Sequence, residues 1–105
     1  MKNNIDKMYK IINDYTEKLS TTFLFTYIRE IHNGINSTKA QAFIEEQIER
    51  YYSYYYHHLT EEIFLQTNIS FKGNGEIYKE KLLLATKLKI IEYNNKECEE
   101  WWQVH

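Results

Sequence analysis

The side chains that could best take part in binding or catalysis lie in one stretch, from Arg50 to His58. Five of the ten tyrosines fall within positions 51–56, and two of the four histidines follow directly. A tyrosine ring buries a large area and carries a hydroxyl group that hydrogen-bonds, which makes it a frequent residue of protein interfaces. The same ring can stack on a base of single-stranded nucleic acid. The stretch is therefore the first candidate for a binding site.

Arg50 and His57 have six residues between them. This spacing resembles the loose Arg-x(4–6)-His pattern of HEPN-domain ribonucleases, which are small helical bundles that act as dimers. The resemblance covers eight residues, and Tyr51 stands where that family usually has a polar residue after the arginine. It implies a ribonuclease in which His57 is the general acid and base and Arg50 holds the scissile phosphate. A ribonuclease of this kind is the alternative to a binding function.

The end of the stretch offers pairs of metal ligands. His57 with Glu61, or His58 with Glu62, has the i,i+4 spacing that places two ligands on one helical face. A di-iron carboxylate bundle needs a Glu-x-x-His motif on two helices, and the second motif is missing. The sequence also lacks a glycine-rich phosphate loop and a nucleophile elbow. We therefore predict no catalytic residue, no metal site and no cofactor.

Charge argues against nucleic acid as the ligand. The net charge is −2, and eleven of the thirteen basic residues are lysine, so guanidinium groups that bind phosphate or guanine are scarce. Acidic residues also surround the tyrosine stretch, namely Glu45, Glu46, Glu49, Glu61 and Glu62. A single-stranded nucleic-acid binder is accordingly the third hypothesis. A partner protein suits the tyrosines better.

A helix can bury one face of the tyrosine stretch, and its apolar spacing predicts which face that is. Tyr51 and Tyr55 continue the row of Ile44 and Ile48, so we predict that they lie in the core. Tyr52 and Tyr56 then point elsewhere. Adjacent tryptophans near the C-terminus cannot both be buried, so one of them is expected to reach a partner. The predicted protein interface consists of Tyr52, Tyr54, Tyr56, His57, Trp101 and Trp102.

The rest of the chain predicts long helices that position this surface. Proline is absent and there are three glycines, so the chain has few of the turn signals of an all-β or α/β fold. Residues 4–33 carry two apolar rows that change face at Ser20-Thr21-Thr22, which leaves open whether they form one helix or two. The next helix starts at Ser37-Thr38, and we expect a kink or a restart at Thr60.

The last third of the chain predicts two further helices. A loop at residues 72–75 precedes a helix whose predicted buried row is Ile77, Leu84, Leu88 and Ile91, widened by Leu82, Leu83 and Ala85. Asn94 and Glu97 have the spacing of a capping box, which predicts a short final helix. The expected fold is all-α, a single compact domain over residues 1–105 formed by a bundle of four to five helices without a sheet.

Composition indicates a compartment and a class of function. The single cysteine, Cys98, lies among three glutamates that disfavour its thiolate, and it fits a structural role in a reducing cytoplasm. Richness in Ile, Lys, Asn and Tyr indicates an AT-rich genome, as in low-GC bacteria or their phages and mobile elements. We predict a cytoplasmic, non-catalytic module that binds a host-cell protein, as an inhibitor, antitoxin or immunity protein does. Homodimerisation through the aromatic face is a companion hypothesis, and no membrane partner is expected.

Overall fold

Three long helices account for nearly all of the backbone that the structure describes. The computed structural model describes the backbone of residues 2–104 and the side chains of residues 3–96. Helix α1 spans Lys2–His32, α2 spans Ser37–Thr67 and α3 spans Gly75–Val104. Every regular element in residues 2–104 is an α-helix, which confirms the all-α prediction. The predicted number of four to five helices is wrong, because each expected break lies inside a continuous helix.

The expected breaks at residues 20–22 and at Thr60 fail for the same physical reason. The hydroxyl groups at these points hydrogen-bond within the helix instead of ending it. Ser20 donates to the carbonyl of Glu17, Thr22 to that of Lys18, and Thr60 to that of His57. Hydroxyl residues favour helix ends when their oxygens compete with the backbone, but here tertiary packing keeps the helices intact. The stretch 4–33 therefore forms one helix, which ends at His32, and α2 passes Thr60 without a restart.

Short connections turn the chain between the helices. The first turn is a Schellman motif in which Gly34, with φ of 91°, donates to the carbonyl of Ile31, and Ile35 donates to that of Glu30. Asn36 then caps α2 by accepting a hydrogen bond of 2.9 Å from the backbone N–H of Lys39. Helix α2 thus begins at Ser37, within the predicted start at Ser37-Thr38, and Asn36 is its cap.

The core runs along the common axis of the three helices. It combines apolar side chains from each helix with a few buried polar groups. The buried apolar residues are Ile11, Ile12, Phe23, Tyr27, Ala40, Ile44, Ile48, Leu59, Ile63, Tyr78, Leu82 and Ile90. Tyr27 joins all three helices, because its hydroxyl group lies 2.8 Å from Ser37 Oγ and donates to Asn94 Oδ1 at 3.0 Å.

Helix α3 buries a different row from the one that the sequence predicts. Tyr78, Leu82, Thr86 and Ile90 face the core, and the predicted row of Ile77, Leu84, Leu88 and Ile91 is exposed. The prediction that Leu82 adds to the buried surface is confirmed. Lys81 lies on the same helical face as the predicted row, and burial of that face would bring its charge into the core at a large desolvation cost. The observed row contains no charged residue. Lys79 and Lys89 flank it and pair with Glu49 at 3.2 Å and Glu17 at 2.6 Å, on α2 and α1 respectively.

Candidate binding groove between helices 1 and 2

The structure distributes the five clustered tyrosines over three environments. Tyr55 packs against the core with its ring edge-on to Phe23, at a centroid distance of 6.1 Å. Tyr51 and Tyr54 are exposed by 44% and 61%. The prediction that Tyr55 lies against the core is confirmed, and the prediction that Tyr51 is buried is wrong. The reason is that α2 turns its apolar row gradually along its length, so that Tyr52 occupies the inward position four residues after Ile48.

Tyr52 and Tyr56 face the start of α3 and are partly buried there. The hydroxyl group of Tyr56 donates to the carbonyl of Phe71 and accepts a hydrogen bond of 2.8 Å from the N–H of Asn74. The hydroxyl group of Tyr52 donates to the carboxylate of Glu76 at 2.8 Å. These two rings fix the connection between α2 and α3. They are therefore not the outward-facing surface that the sequence predicts.

Charged groups reinforce this junction. Lys79 lies 3.0 Å from Glu76 and 3.2 Å from Glu49, and its ammonium group lies 5.3 Å from the centre of the Tyr52 ring. The hydrogen bonds of Lys79 and Tyr52 lower the pKa of Glu76, and the two carboxylates raise the pKa of Lys79. The hydrogen bond to Glu76 raises the pKa of Tyr52. The cluster thus keeps its charges near neutral pH and serves structure.

The exposed tyrosines border a groove between α1 and α2, which we call the tyrosine groove. Its volume is about 470 Å³. It is lined by Thr22, Phe23, Thr26, Arg29, Phe43, Gln47, Tyr51, Tyr54 and Tyr55. The Tyr54 ring meets the rings of Tyr55 at 5.5 Å and His58 at 4.5 Å, both edge-on. These contacts hold the exposed ring in place, so a partner would meet a surface that is largely organised in advance.

The face formed by α1 and α2, which carries the tyrosine groove, differs in charge from the face formed by α2 and α3. Arg29 is the charged residue among those that line the tyrosine groove. A second depression between α1 and α2 continues the face with Lys7, Lys10 and Lys18 beside Asp14 and Glu62. The groove between α2 and α3 is acidic instead, with Glu45, Glu46, Glu49 and Glu80 beside Lys87. The α1–α2 face is therefore apolar with a moderate excess of positive charge.

The proposed catalytic pair lies outside the tyrosine groove. Arg50 donates to Glu46 at 3.0 Å, and His57 Nε2 lies 3.0 Å from Glu61 Oε1, so both side chains are engaged within α2. Arg50 and His57 are seven positions apart, which is roughly 10 Å along a helix. His57 lines another depression, with Phe64 and Phe71 among its neighbours. Within residues 3–96, no three histidine, cysteine, aspartate or glutamate side chains come together as metal ligands.

The structure places the residues of the predicted interface in different surroundings. Tyr54 and His57 are exposed as the sequence indicates, but they lie on different sides of α2, and Tyr52 and Tyr56 belong to the α2–α3 junction. Trp101, Trp102 and Cys98 have side chains outside the described residues. The short helix predicted for this end is part of the continuous α3.

Sequence reasoning missed several lining residues of the groove. Thr22, Thr26 and Arg29 come from α1, and nothing local in the sequence pairs them with the tyrosines. Phe43, Gln47, Tyr51, Tyr54 and His58 recur at intervals of four, four, three and four, which marks one face of a helix. This row is the signal in the sequence that could have identified the face of α2 at the groove. Its helical spacing is as regular as that of the buried row.

Comparison of the chain with models of protein families, with curated proteins and with solved structures finds no match. None of the three helices, over their described residues, combines the length and apolarity that a bilayer crossing requires. Inference about function therefore starts from the geometry of the tyrosine groove.

Proposed function

We propose that the protein is a non-catalytic helical module that binds another protein through the tyrosine groove. The observation that carries the proposal is the exposure of Tyr51 and Tyr54 beside a groove whose floor contains Phe23 and Tyr55. Exposed rings of this size bury much area for little loss of conformational entropy, which is why tyrosine is common among binding hot spots. The rest of the bundle serves to hold this surface in shape.

The charges around the tyrosine groove indicate which kind of partner it would bind. Arg29 lies at the groove with its side chain 66% exposed and is 3.9 Å from Glu30, so its guanidinium group is accessible to a ligand. The neighbouring lysines extend the positive region along the same face. A helix or loop with an apolar ridge and acidic residues beside it would complement both features. An inhibitor, antitoxin or immunity protein that blocks a host protein by contact is the class of function that we propose.

The test begins with capture of a partner from cells of the source and continues with the purified partner. Replacement of both exposed tyrosines, Tyr51→Ala with Tyr54→Ala, is expected to weaken binding by roughly 30-fold or more, the loss typical of hot-spot residues. Tyr9→Ala is the matched control, because Tyr9 is an equally exposed tyrosine on α1 outside the groove. Equal affinity of the double variant and the wild type would refute the proposal.

Arg29 provides an independent test of the charge argument. Arg29→Glu is expected to weaken the same complex and to reduce its salt dependence, because one attraction to an acidic partner becomes a repulsion while the neighbouring lysines remain. Circular dichroism checks that the helices persist, since the Arg29 side chain is exposed. An affinity that is unchanged at low and high salt would exclude an acidic partner.

The nucleic-acid hypothesis and the ribonuclease hypothesis can be tested with variants of the same protein. Binding of a single-stranded oligonucleotide that requires Tyr51 and Tyr54, and that weakens steeply with salt, would assign the groove to nucleic acid instead. Cleavage of RNA that His57→Ala abolishes would overturn the non-catalytic assignment. We favour the protein partner because Glu62 and Asp14 interrupt the basic residues on this face.

A further inference from the structure

Helix α3 presents a second apolar surface, on the side opposite the core. Ile77, Leu84, Leu88 and Ile91 are 70, 58, 56 and 44% exposed. At 100° per residue these positions form one narrow row, which we call the outer row, and the buried residues of α3 lie on the reverse side of the helix. The outer row belongs neither to the core nor to the tyrosine groove.

The spacing of the outer row is that of a coiled-coil seam. The intervals of seven, four and three residues match alternating a and d positions of a heptad, with Ile77, Leu84 and Ile91 at d and Leu88 at a. Lys81 and Asn95 occupy further a positions. Polar residues at single a positions lower stability but fix the register and orientation of paired helices. The spacing recurs in the sequence at Cys98 and Trp102, whose side chains lie outside the described residues.

We propose that the outer row is the contact between two copies of this chain, which pair in parallel through α3. The charges beside the row indicate this occupant. Lys87 lies on one flank at a g position, and Glu92 lies five residues later on the other flank at an e position. Parallel helices bring a g residue of one copy next to the e residue five positions later in the other. Two symmetric Lys87–Glu92 pairs therefore form.

The antiparallel arrangement lacks this complementarity. Antiparallel helices place g residues opposite g residues, so pairing Leu84 of one copy with Leu88 of the other brings the two Lys87 side chains together. Like charges at that position disfavour the complex. The buried residues of α3 face α1 and α2 on the reverse side of the helix, although Leu84 and Lys87 also border the groove between α2 and α3. The tyrosine groove, which α1 and α2 form, stays open in both copies.

Analytical ultracentrifugation of the full chain over a range of concentrations tests the dimer. The wild type is expected to sediment as a dimer, and Leu84→Glu with Leu88→Glu is expected to weaken association roughly 100-fold or more, because charges enter the seam. Leu65→Glu is the matched control, since Leu65 is an exposed leucine on α2. A wild type that remains monomeric up to about 1 mM, or a dimer that the double variant leaves intact, would overturn the proposal.

Orientation is tested separately. Lys87→Glu is expected to weaken the dimer by roughly threefold to tenfold, and addition of Glu92→Lys is expected to restore it, as for an exposed pair that occurs twice. In a Cys98→Ser background, Ile77→Cys is expected to be joined by a short bismaleimide. An antiparallel pair centred near Leu88 would separate the two positions by roughly 30 Å. A dimer that does not crosslink at position 77 would refute the parallel arrangement.

The outcomes are independent of the proposed function. A monomeric protein can still bind a partner through Tyr51 and Tyr54, because those residues lie on α2 away from the outer row. Conversely, a parallel dimer without partner binding would leave the tyrosine groove unassigned and the self-association proposal intact. The partner-binding measurements with Leu84→Glu and Leu88→Glu separate these cases.

Discussion

Thr86 lies in the core with a hydroxyl group that has no hydrogen-bond partner among the described residues. Ile44, Ile48 and Ile90 lie beside it, and the cavity that they share, which Gln41, Glu45 and Lys87 also line, measures about 10 Å³. That volume is at the lower limit for one water molecule, and such a water would need several polar partners. Replacement by valine exchanges the buried hydroxyl group for a methyl group of similar shape. We expect Thr86→Val to stabilise the protein.

The magnitude follows from two contributions. An unsatisfied buried hydroxyl group costs about 1–3 kcal/mol, and an additional buried methyl group contributes about 0.8 kcal/mol. Valine and threonine have similar helix propensities, so the backbone adds little. The unfolded chain already buries part of its apolar surface, so the actual gain is smaller than this sum. We expect the free energy of unfolding to rise by about 1–3 kcal/mol, which corresponds to a Tm increase of roughly 5–14 °C at this chain length.

Thr16→Val is the matched control, because it makes the same chemical change where the hydroxyl group is used. Thr16 donates to the carbonyl of Ile12 at 2.7 Å and lies 3.1 Å from the hydroxyl group of Tyr78. Its one proton goes to Ile12, so Tyr78 is the donor in the second bond. Valine would leave the Tyr78 hydroxyl group buried and unpaired. We expect a loss of about 1–2 kcal/mol, which is the opposite sign to the effect at Thr86.

Urea denaturation followed by circular dichroism measures both variants. Equal slopes with denaturant concentration would show that only stability changed. The reasoning would be refuted if Thr86→Val destabilised the protein by as much as Thr16→Val. In that case the Thr86 hydroxyl group would have to be hydrogen-bonded in solution.

Three further predictions concern the core and its tyrosines. Tyr27→Phe removes the hydroxyl group that joins the three helices, so the free energy of unfolding is expected to fall by about 1–2 kcal/mol, measurable by urea denaturation; an unchanged value would mean that this junction adds no stability. Burial, followed by the nearby Tyr78, raises the pKa of Tyr15 to about 12. The contribution of protonated Tyr15 to the free energy of unfolding is therefore fully present below pH 10 and is lost as the pH rises from 10 towards 12. Tyr15→Phe is expected to reduce this alkaline loss in thermal melts recorded between pH 9 and 12, relative to wild type, and an identical pH profile would contradict the assignment. Ile48→Ala, at a side chain that is almost fully buried, is expected to cost about 2–5 kcal/mol, whereas a cost below about 1 kcal/mol would place Ile48 outside the core.

The helices themselves are predictable from local chemistry. Apolar residues at helical spacing, the absence of proline and the glycine turns at residues 34 and 73–75 place helices and connections close to where they lie. Breaks are harder to predict. Ser20 and Thr60 look like helix ends in isolation, but their hydroxyl groups donate to carbonyls three residues earlier and the helix continues. Whether a weak position breaks a helix depends on the packing around it.

Part of the site was also within reach of the sequence. The tyrosine stretch is a binding surface in both the prediction and the proposal, but its exposed rings are Tyr51 and Tyr54. Consecutive tyrosines cover every direction around a helix, so the pattern alone cannot select the outward pair. Hydrogen bonds to Phe71, Asn74 and Glu76 select Tyr52 and Tyr56 for the junction. These partners come from a later part of the chain.

The sequence by itself determined that this chain forms long amphipathic helices with a concentration of tyrosines on the second one, because spacing and composition act locally. Tertiary structure decided how many helices there are, which tyrosines face outward and which row of α3 meets the core. On α3 two apolar rows compete, and the row without a charged residue is buried because desolvation of Lys81 would be costly. The tyrosine groove exists because α1 supplies its other wall. Such a surface depends on residues far apart in the chain, so it follows from packing.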